Sequence, residues 1–237
     1  MALPLSRSLA GLSVQGDGQL AVRRNLPEEV PVAMVYDGST QAVMMATPGD
    51  IADFAHGFSL TEGFVTRLDQ VDSFEVVEHE AGIEARFWLT GDRAKALDTR
   101  RRRMMGPVGC GLCGIDSLEE ATRALPTVRS EIRFLATEIA GATDALRSFQ
   151  PLHDQTHAVH AAGFLQPGRG IVTAREDVGR HNACDKLLGH AVRHQQMPQS
   201  RRVWVLSSRI AYELVHKAAK AGVSVVAGMS APTSLAV

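Results

Sequence analysis

Residues 202–230 read RVWVLSSRIAYELVHKAAKAGVSVVAGMS, and the order of patterns in this stretch decides the fold. Val203 to Leu206 form an apolar run of strand length ending in two serines, the helical stretch IAYELVHKAAKAG follows, and Gly222 closes it in the position where a left-handed residue ends a helix. VSVVAGMS then reads as a second strand. Upstream, Ala183, Leu187 and Ala191 recur at helical spacing between Asn182 and Gln195, preceded by strands near Ile171–Arg175 and His157–Leu165 and by a helix over Glu138–Phe149. Strands and helices that alternate in this way, taken as parallel strands with right-handed crossovers, predict a three-layer α/β domain over residues 131–237.

The first half has another rhythm. PVAMVYDGSTQAVMM, residues 31–45, places two apolar runs around Asp37-Gly38, a pair suited to a hairpin turn. Ile51, Phe54, Ala55 and Phe58 follow at helical spacing after Thr47-Pro-Gly-Asp50. Phe74–Val77 and Ile83–Leu89 alternate as a second hairpin with one buried face. Gly91–Arg103 reads as helical, and Asp116-Ser117 with Glu120 resembles a capping box. These elements predict a smaller α+β domain over 26–130, while residues 1–25, rich in Gly, Ser and Arg, read as a loose arm.

The chain has 237 residues with 25 Lys and Arg against 26 Asp and Glu, so its global charge offers no field for nucleic acid. No apolar stretch approaches the ~18 residues that cross a bilayer, and the N-terminus lacks a long apolar signal region. A cytoplasmic protein with no membrane contact is the expectation. Three cysteines, Cys110, Cys113 and Cys184, are too few for a disulfide scaffold in a chain of this length, which points to sulfur chemistry.

Cys110-Gly-Leu-Cys113 sits between Gly109 and Gly114, inside a loop read as 104–116. Glycines let this loop fold tightly with both sulfurs accessible. A Cys-x-x-Cys pair near a helix N-terminus and basic residues such as Arg100–Arg103 favours thiolate. The same two cysteines with His153 and His157, at His-x₃-His spacing, would also make a Cys₂His₂ zinc site. RED, VGRHN and ACDK, spanning Arg175–Lys186, crowd seven acidic or basic side chains, counting His181, at a strand-to-helix junction. Loops Asp177–Asn182, Ser207–Arg209 and Ser230–Ser234 each follow a strand, so they are expected on one rim of the sheet, where helix N-termini receive anions. Helix capping by Asn182, Ser208 and Ser230 accounts for part of this pattern. Cys184, between Ala183 and Asp185 in a helix, reads as a packing residue.

With these residues in hand the sequence resembles the FdhD/NarQ family of formate dehydrogenase accessory sulfurtransferases. The resemblance rests on TPGDIADFAHGFSLTEGFV, the Cys110–Gly114 loop, Val159-His160-Ala161-Ala162, REDVGRHNACDK, and the run from Ser207 to Val237. It implies a homodimer whose C-terminal domain is cytidine-deaminase-like. It implies a carrier that takes sulfur from a cysteine desulfurase as a persulfide on Cys110, with Cys113 as partner. The acceptor would be the bis-molybdopterin guanine dinucleotide form of the molybdenum cofactor, bound as substrate and destined for formate dehydrogenase. GDP would mimic a fragment of it. Motif by motif, His160, Asp177, Arg180, His181, Asn182, Ser208, Arg209 and Ser230 are then the candidate cofactor-binding residues, with no resident metal. The family's closing segment beyond Ser234–Val237 is expected to be lacking here. Two alternatives remain, a zinc-binding chaperone and a zinc-dependent deaminase. The deaminase needs a His-x-Glu or Cys-x-Glu element, which the chain lacks.

Overall fold

A computed structural model describes residues 3–16, 18–95, 125–130, 132–195 and 202–237. Strands β3 (Val30–Tyr36) and β4 (Ser39–Ala46) form an antiparallel hairpin. Its turn residues Asp37 and Gly38 both have positive φ, 49° and 76°, as a two-residue turn matched to strand twist requires. The Asp37 side chain fixes the turn by accepting from the Leu89 N–H at 2.9 Å. Helix α1 (Ile51–Thr61) follows, then β5 (Val71–His79) and β6 (Gly82–Leu89). The sheet order is β4-β3-β6-β5, with β3 and β6 parallel. Alternation along the strands turns Val32, Met34, Tyr36, Ala85 and Phe87 onto α1, where they meet Phe54 and Phe58 in one buried cluster.

The second half begins with α2 (Ala136–Ala140), α3 (Ala142–Arg147) and α4 (Pro151–Thr156). The single helix expected over Glu138–Phe149 is thus broken around Gly141, and α4, with Pro151 at its first turn, is an addition. There follow β7 (His160–Gln166), β8 (Gly170–Asp177), α5 (Arg180–Arg193), β9 (Val203–Arg209), α6 (Tyr212–Lys220) and β10 (Val225–Ser230). The sheet order is β10-β9-β7-β8. Helices α5 and α6 cover one face through Cys184, Leu187 and Leu214 against Phe164 and Trp204. On the opposite face α3 sets Leu146 against Leu165 and Val205.

Two expectations are corrected. The sheet is mixed: β9 and β10 are parallel, but β7 runs antiparallel to both β8 and β9. Only Pro167–Arg169 separate β7 from β8, a link that can close a hairpin but cannot return a chain to parallel pairing. The loose arm expected over residues 1–25 is, in its described residues, a strand pair. β1 (Ser6–Gln15) and β2 (Gly18–Pro27) pair over ten registers, from Ser6 opposite Pro27 to Gln15 opposite Gly18. Leu9, Leu12, Val14 and Leu20 on this ribbon remain exposed, so it carries little of the burial pattern by which strands are read from sequence.

The two halves meet where α1 crosses α5. A Cβ on Gly57 would lie 1.8 Å from the Asp185 carbonyl oxygen, and one on Gly189 would lie 1.8 Å from that of Asp53. The helices approach backbone to backbone, and any larger residue must push them apart. Gly57→Ala is therefore expected to destabilise the protein by at least the ~1–3 kcal/mol typical of overpacking, read as a lower urea midpoint. An unchanged midpoint would show that the crossing tolerates a side chain.

Candidate functional site

Because β7 opposes its neighbours, β8, β9 and β10 all point the same way. Their C-terminal ends share one rim with the start of β7. His160 pairs with Asp177 across β7 and β8, Ser230 with Arg209 across β10 and β9, and the Ser207 hydroxyl oxygen accepts from the Ala161 N–H at 2.7 Å. The three loops expected to converge therefore do so, through a mixed sheet.

A cleft of about 430 Å³ opens at this rim, lined among others by Arg147, His153, His157, His160, Ser207 and Met229. His153 donates from Nδ1 to the Val159 carbonyl, 3.1 Å away, since a carbonyl only accepts. The His153 and His157 rings stand edge to face with centroids 5.5 Å apart. His160 is held below the usual imidazole range, first by burial and then by the nearby Arg180 charge, which keeps it neutral at pH 7.

The residues expected to bind cofactor divide into two groups. Asp177 is fully buried and its carboxylate is saturated. Oδ2 accepts from the Thr47 N–H at 3.0 Å and pairs with Lys186 Nζ at 2.7 Å, while Oδ1 accepts from Gly179 N–H and Asn182 Nδ2, each at 2.8 Å. Asn182 Nδ2 also donates to the Met45 carbonyl at 2.8 Å. Both side chains tie the rim to the other half, Asp177 through Thr47 after β4 and Asn182 through Met45 at the end of β4, so the Asp177 carboxylate and the Asn182 amide nitrogen, expected to face ligand, are engaged in holding the fold. Ser208 is buried, its hydroxyl donating to the Arg209 carbonyl at 3.0 Å. Arg209 and Ser230 are exposed. Arg180 and His181 open α5 and are partly buried, with His181 pulled below its ordinary pKa by burial and by Arg180. Arg180, His181, Arg209, Ser230 and His160 are thus the members free to meet a polar, anion-bearing ligand.

Glu213, not among the candidate cofactor-binding residues read from the sequence, joins this group: it lies in the first turn of α6 and accepts from Arg180 and His181. Lys186 and Thr47 were likewise not singled out, since their role appears only when the two halves are apposed.

Cys110, Cys113, the 104–116 loop and Arg100–Arg103 lie outside the described residues, and with them half of the alternative zinc set. Among the described residues one group has ligand atoms close enough for a metal ion, Asp53 with His190 and His194. Arg175 and Arg193 already occupy that carboxylate, and two guanidiniums there repel a cation. Cys184 is fully buried and burial pushes its thiol far up, as a packing residue requires. No helix among the described residues is long and apolar enough to cross a membrane.

Asp177→Ala should cost about 3–5 kcal/mol of stability, because it leaves Lys186 as an uncompensated buried cation; a urea midpoint within error of the parent would refute the structural assignment. Cys184 should resist alkylation by iodoacetamide in the native state and react on unfolding. Peptide mapping that finds it labelled under native conditions would mean the helix packing is open.

The FdhD/NarQ family model matches residues 27–237. A protein named sulfur carrier protein FdhD from Agrobacterium fabrum is 48% identical over 217 residues, covering 90% of this chain and 79% of the relative. Its namesake from Brucella abortus is 47% identical over 234 residues, covering 98% of this chain and 87% of the relative. A crystal structure from Desulfotalea psychrophila, described as a formate dehydrogenase accessory protein, shares the fold with a TM-score of 0.74 at 22% identity, covering 98% of this chain and 87% of that one. A family match over residues 27–237, with relatives 47–48% identical over most of the chain, therefore places this chain in the FdhD/NarQ family.

Proposed function

We propose that this protein is a sulfur carrier that moves sulfane sulfur from a cysteine desulfurase to a molybdenum cofactor used by formate dehydrogenase. The family's relatives are named as sulfur carriers, and the fold neighbour is described as a formate dehydrogenase accessory protein. The observation that carries the reading is the rim, where Arg180, His181, His160 and Arg209 come together around an open end of the sheet in a chain that also contains Cys110-Gly-Leu-Cys113.

In the transfer, the Cys110 thiolate attacks the outer sulfur of the donor's persulfide. An S–S bond forms on Cys110 as the donor's S–S bond breaks, and the donor cysteine leaves as thiolate, so no external oxidant is required. Cys113, the second cysteine of the motif, is read as its partner in the transfer.

The substrate cofactor, read as the bis-molybdopterin guanine dinucleotide form, suits the groups left free at the rim: guanidiniums for its phosphates, and imidazole and hydroxyl groups for its heterocycle and sugar edges. The C-terminal half is read as cytidine-deaminase-like, in keeping with a sheet whose first strand runs antiparallel to the rest. A homodimer in the cytoplasm completes the proposal.

Incubation with a cysteine desulfurase and cysteine should add ~32 Da per sulfur to the intact mass, and Cys110→Ser should abolish the adduct that is competent for delivery. An undiminished adduct in the variant would overturn the assignment of Cys110.

A further inference from the structure

Arg180 and His181 begin α5, and Glu213 lies in the first turn of α6, beyond β9 in the chain. A single carboxylate oxygen, Glu213 Oε1, accepts from Arg180 Nη2 at 2.9 Å and lies 3.0 Å from His181 Nε2. All three side chains are at most 28% exposed. Burial alone would raise the Glu213 carboxyl, but bonds from its own N–H, from Arg180 and from His181 hold it below the usual range. It is therefore ionised at neutral pH and can only accept.

The consequence falls on the imidazole. A contact between Nε2 and an ionised carboxylate is a hydrogen bond only if Nε2 carries the proton. Burial, Arg180 and Lys217 keep the ring from taking a second proton, so Nδ1 is left as a bare acceptor. Neither His181 Nδ1 nor Arg180 Nη1 has a hydrogen-bond partner among the described residues, and Arg180 Nε is buried without one. The pair is anchored on one side and unsatisfied on the other, which is the arrangement of a prepared binding edge.

We propose that Glu213 is the positioning residue of the rim: it locks His181 in the Nε2–H form with Nδ1 as acceptor and clamps Arg180 beside it as donor, so that the two read a ligand edge carrying both an acceptor and a donor. This rests on the reading of the rim as a nucleotide-bearing cofactor site. It goes beyond that reading by naming a residue that is not among the candidate cofactor-binding residues and by assigning a proton to one ring nitrogen.

Imidazole ¹⁵N–¹H spectra of the full chain at pH 7.5, with His181 assigned by its loss in His181→Gln, test the lock without any ligand. The parent should show a protonated Nε2 with a resolved, exchange-protected proton. Glu213→Gln, whose amide oxygen still accepts, should retain that proton signal, and Glu213→Ala should lose it to solvent exchange. A parent spectrum with the proton on Nδ1, or a protected Nε2–H that survives in Glu213→Ala, overturns the proposal.

GDP titration by calorimetry then reads the consequence. Glu213→Ala should weaken binding about tenfold, as for loss of an oriented charge-assisted hydrogen bond, with Glu213→Gln closer to the parent. Equal affinity of the parent and Glu213→Ala overturns the positioning role. If the parent itself binds no GDP, it is the nucleotide reading of the rim that falls, while the spectra still decide whether Glu213 locks the ring.

Discussion

The closest constraint in the molecule is the crossing of α1 and α5, where Gly57 and Gly189 let two helix backbones touch. Everything polar at the interface between the halves depends on that distance. With the helices so near, Thr61 Oγ1 reaches Asp185 at 2.8 Å, and Lys217 Nζ reaches Asp185, Thr61 and Glu62 at 2.8–3.0 Å. Burial pushes the Asp185 carboxyl up, against the pull of the Lys217 charge, and the two meet at 2.9–3.0 Å as a buried pair. Lys217 is held well above its ordinary value: burial opposes this, and the Asp185 and Glu62 carboxylates outweigh it. Charges this deep add little net stability compared with apolar packing. They do tolerate few alternative arrangements, since any displacement would strand an ion without its partner.

The same geometry explains how a rim on one sheet comes to be shaped by the other half. Thr47, between β4 and α1, donates its N–H to Asp177, takes the Val178 N–H on its hydroxyl, and offers its carbonyl to Lys186. Arg175, on β8, reaches Asp53 on α1. The junction between β8 and α5 is thus held from both sides, and the residues that remain free there, Arg180 and His181, start from a fixed backbone. Pre-ordering of this kind lowers the entropy lost when a ligand binds.

Much of the fold is legible in the sequence, and what is not has definite causes. The hairpin at Asp37-Gly38, α1, β5–β6, α5, β9, α6 and β10 each carry a local signature of period or turn chemistry that survives in the structure. Strand direction follows from the length of the links: the three residues Pro167–Arg169 permit a hairpin and no parallel return, which a reading of period alone passes over, whereas the antiparallel pairing of β7 with β9 joins residues as distant as Ala162 and Leu206. The β1–β2 ribbon escaped for the opposite reason: its apolar side chains point to solvent, so backbone pairing leaves no amphipathic trace. At the candidate site, the crowded run Arg175–Lys186 marks the rim but not the division of labour within it. Asp177, Asn182 and Lys186 turn inward and Arg180 and His181 stay available, a sorting decided by which side of α5 meets the β4–α1 connection. Glu213 is invisible at sequence level because nothing local distinguishes an acidic first-turn residue that caps a dipole from one that grips two neighbours.

The saturation of Asp177 has a consequence for how the molecule comes apart. Its four hydrogen-bonding positions are shared among β8's own continuation, α5, and the connection leaving β4. Neither half can open while this carboxylate keeps its partners, and neither can keep a satisfied interior once they are lost. Two sheets with separate hydrophobic clusters are therefore expected to melt as one cooperative unit, and a ligand bound at the rim would raise the stability of both, including the half it never touches.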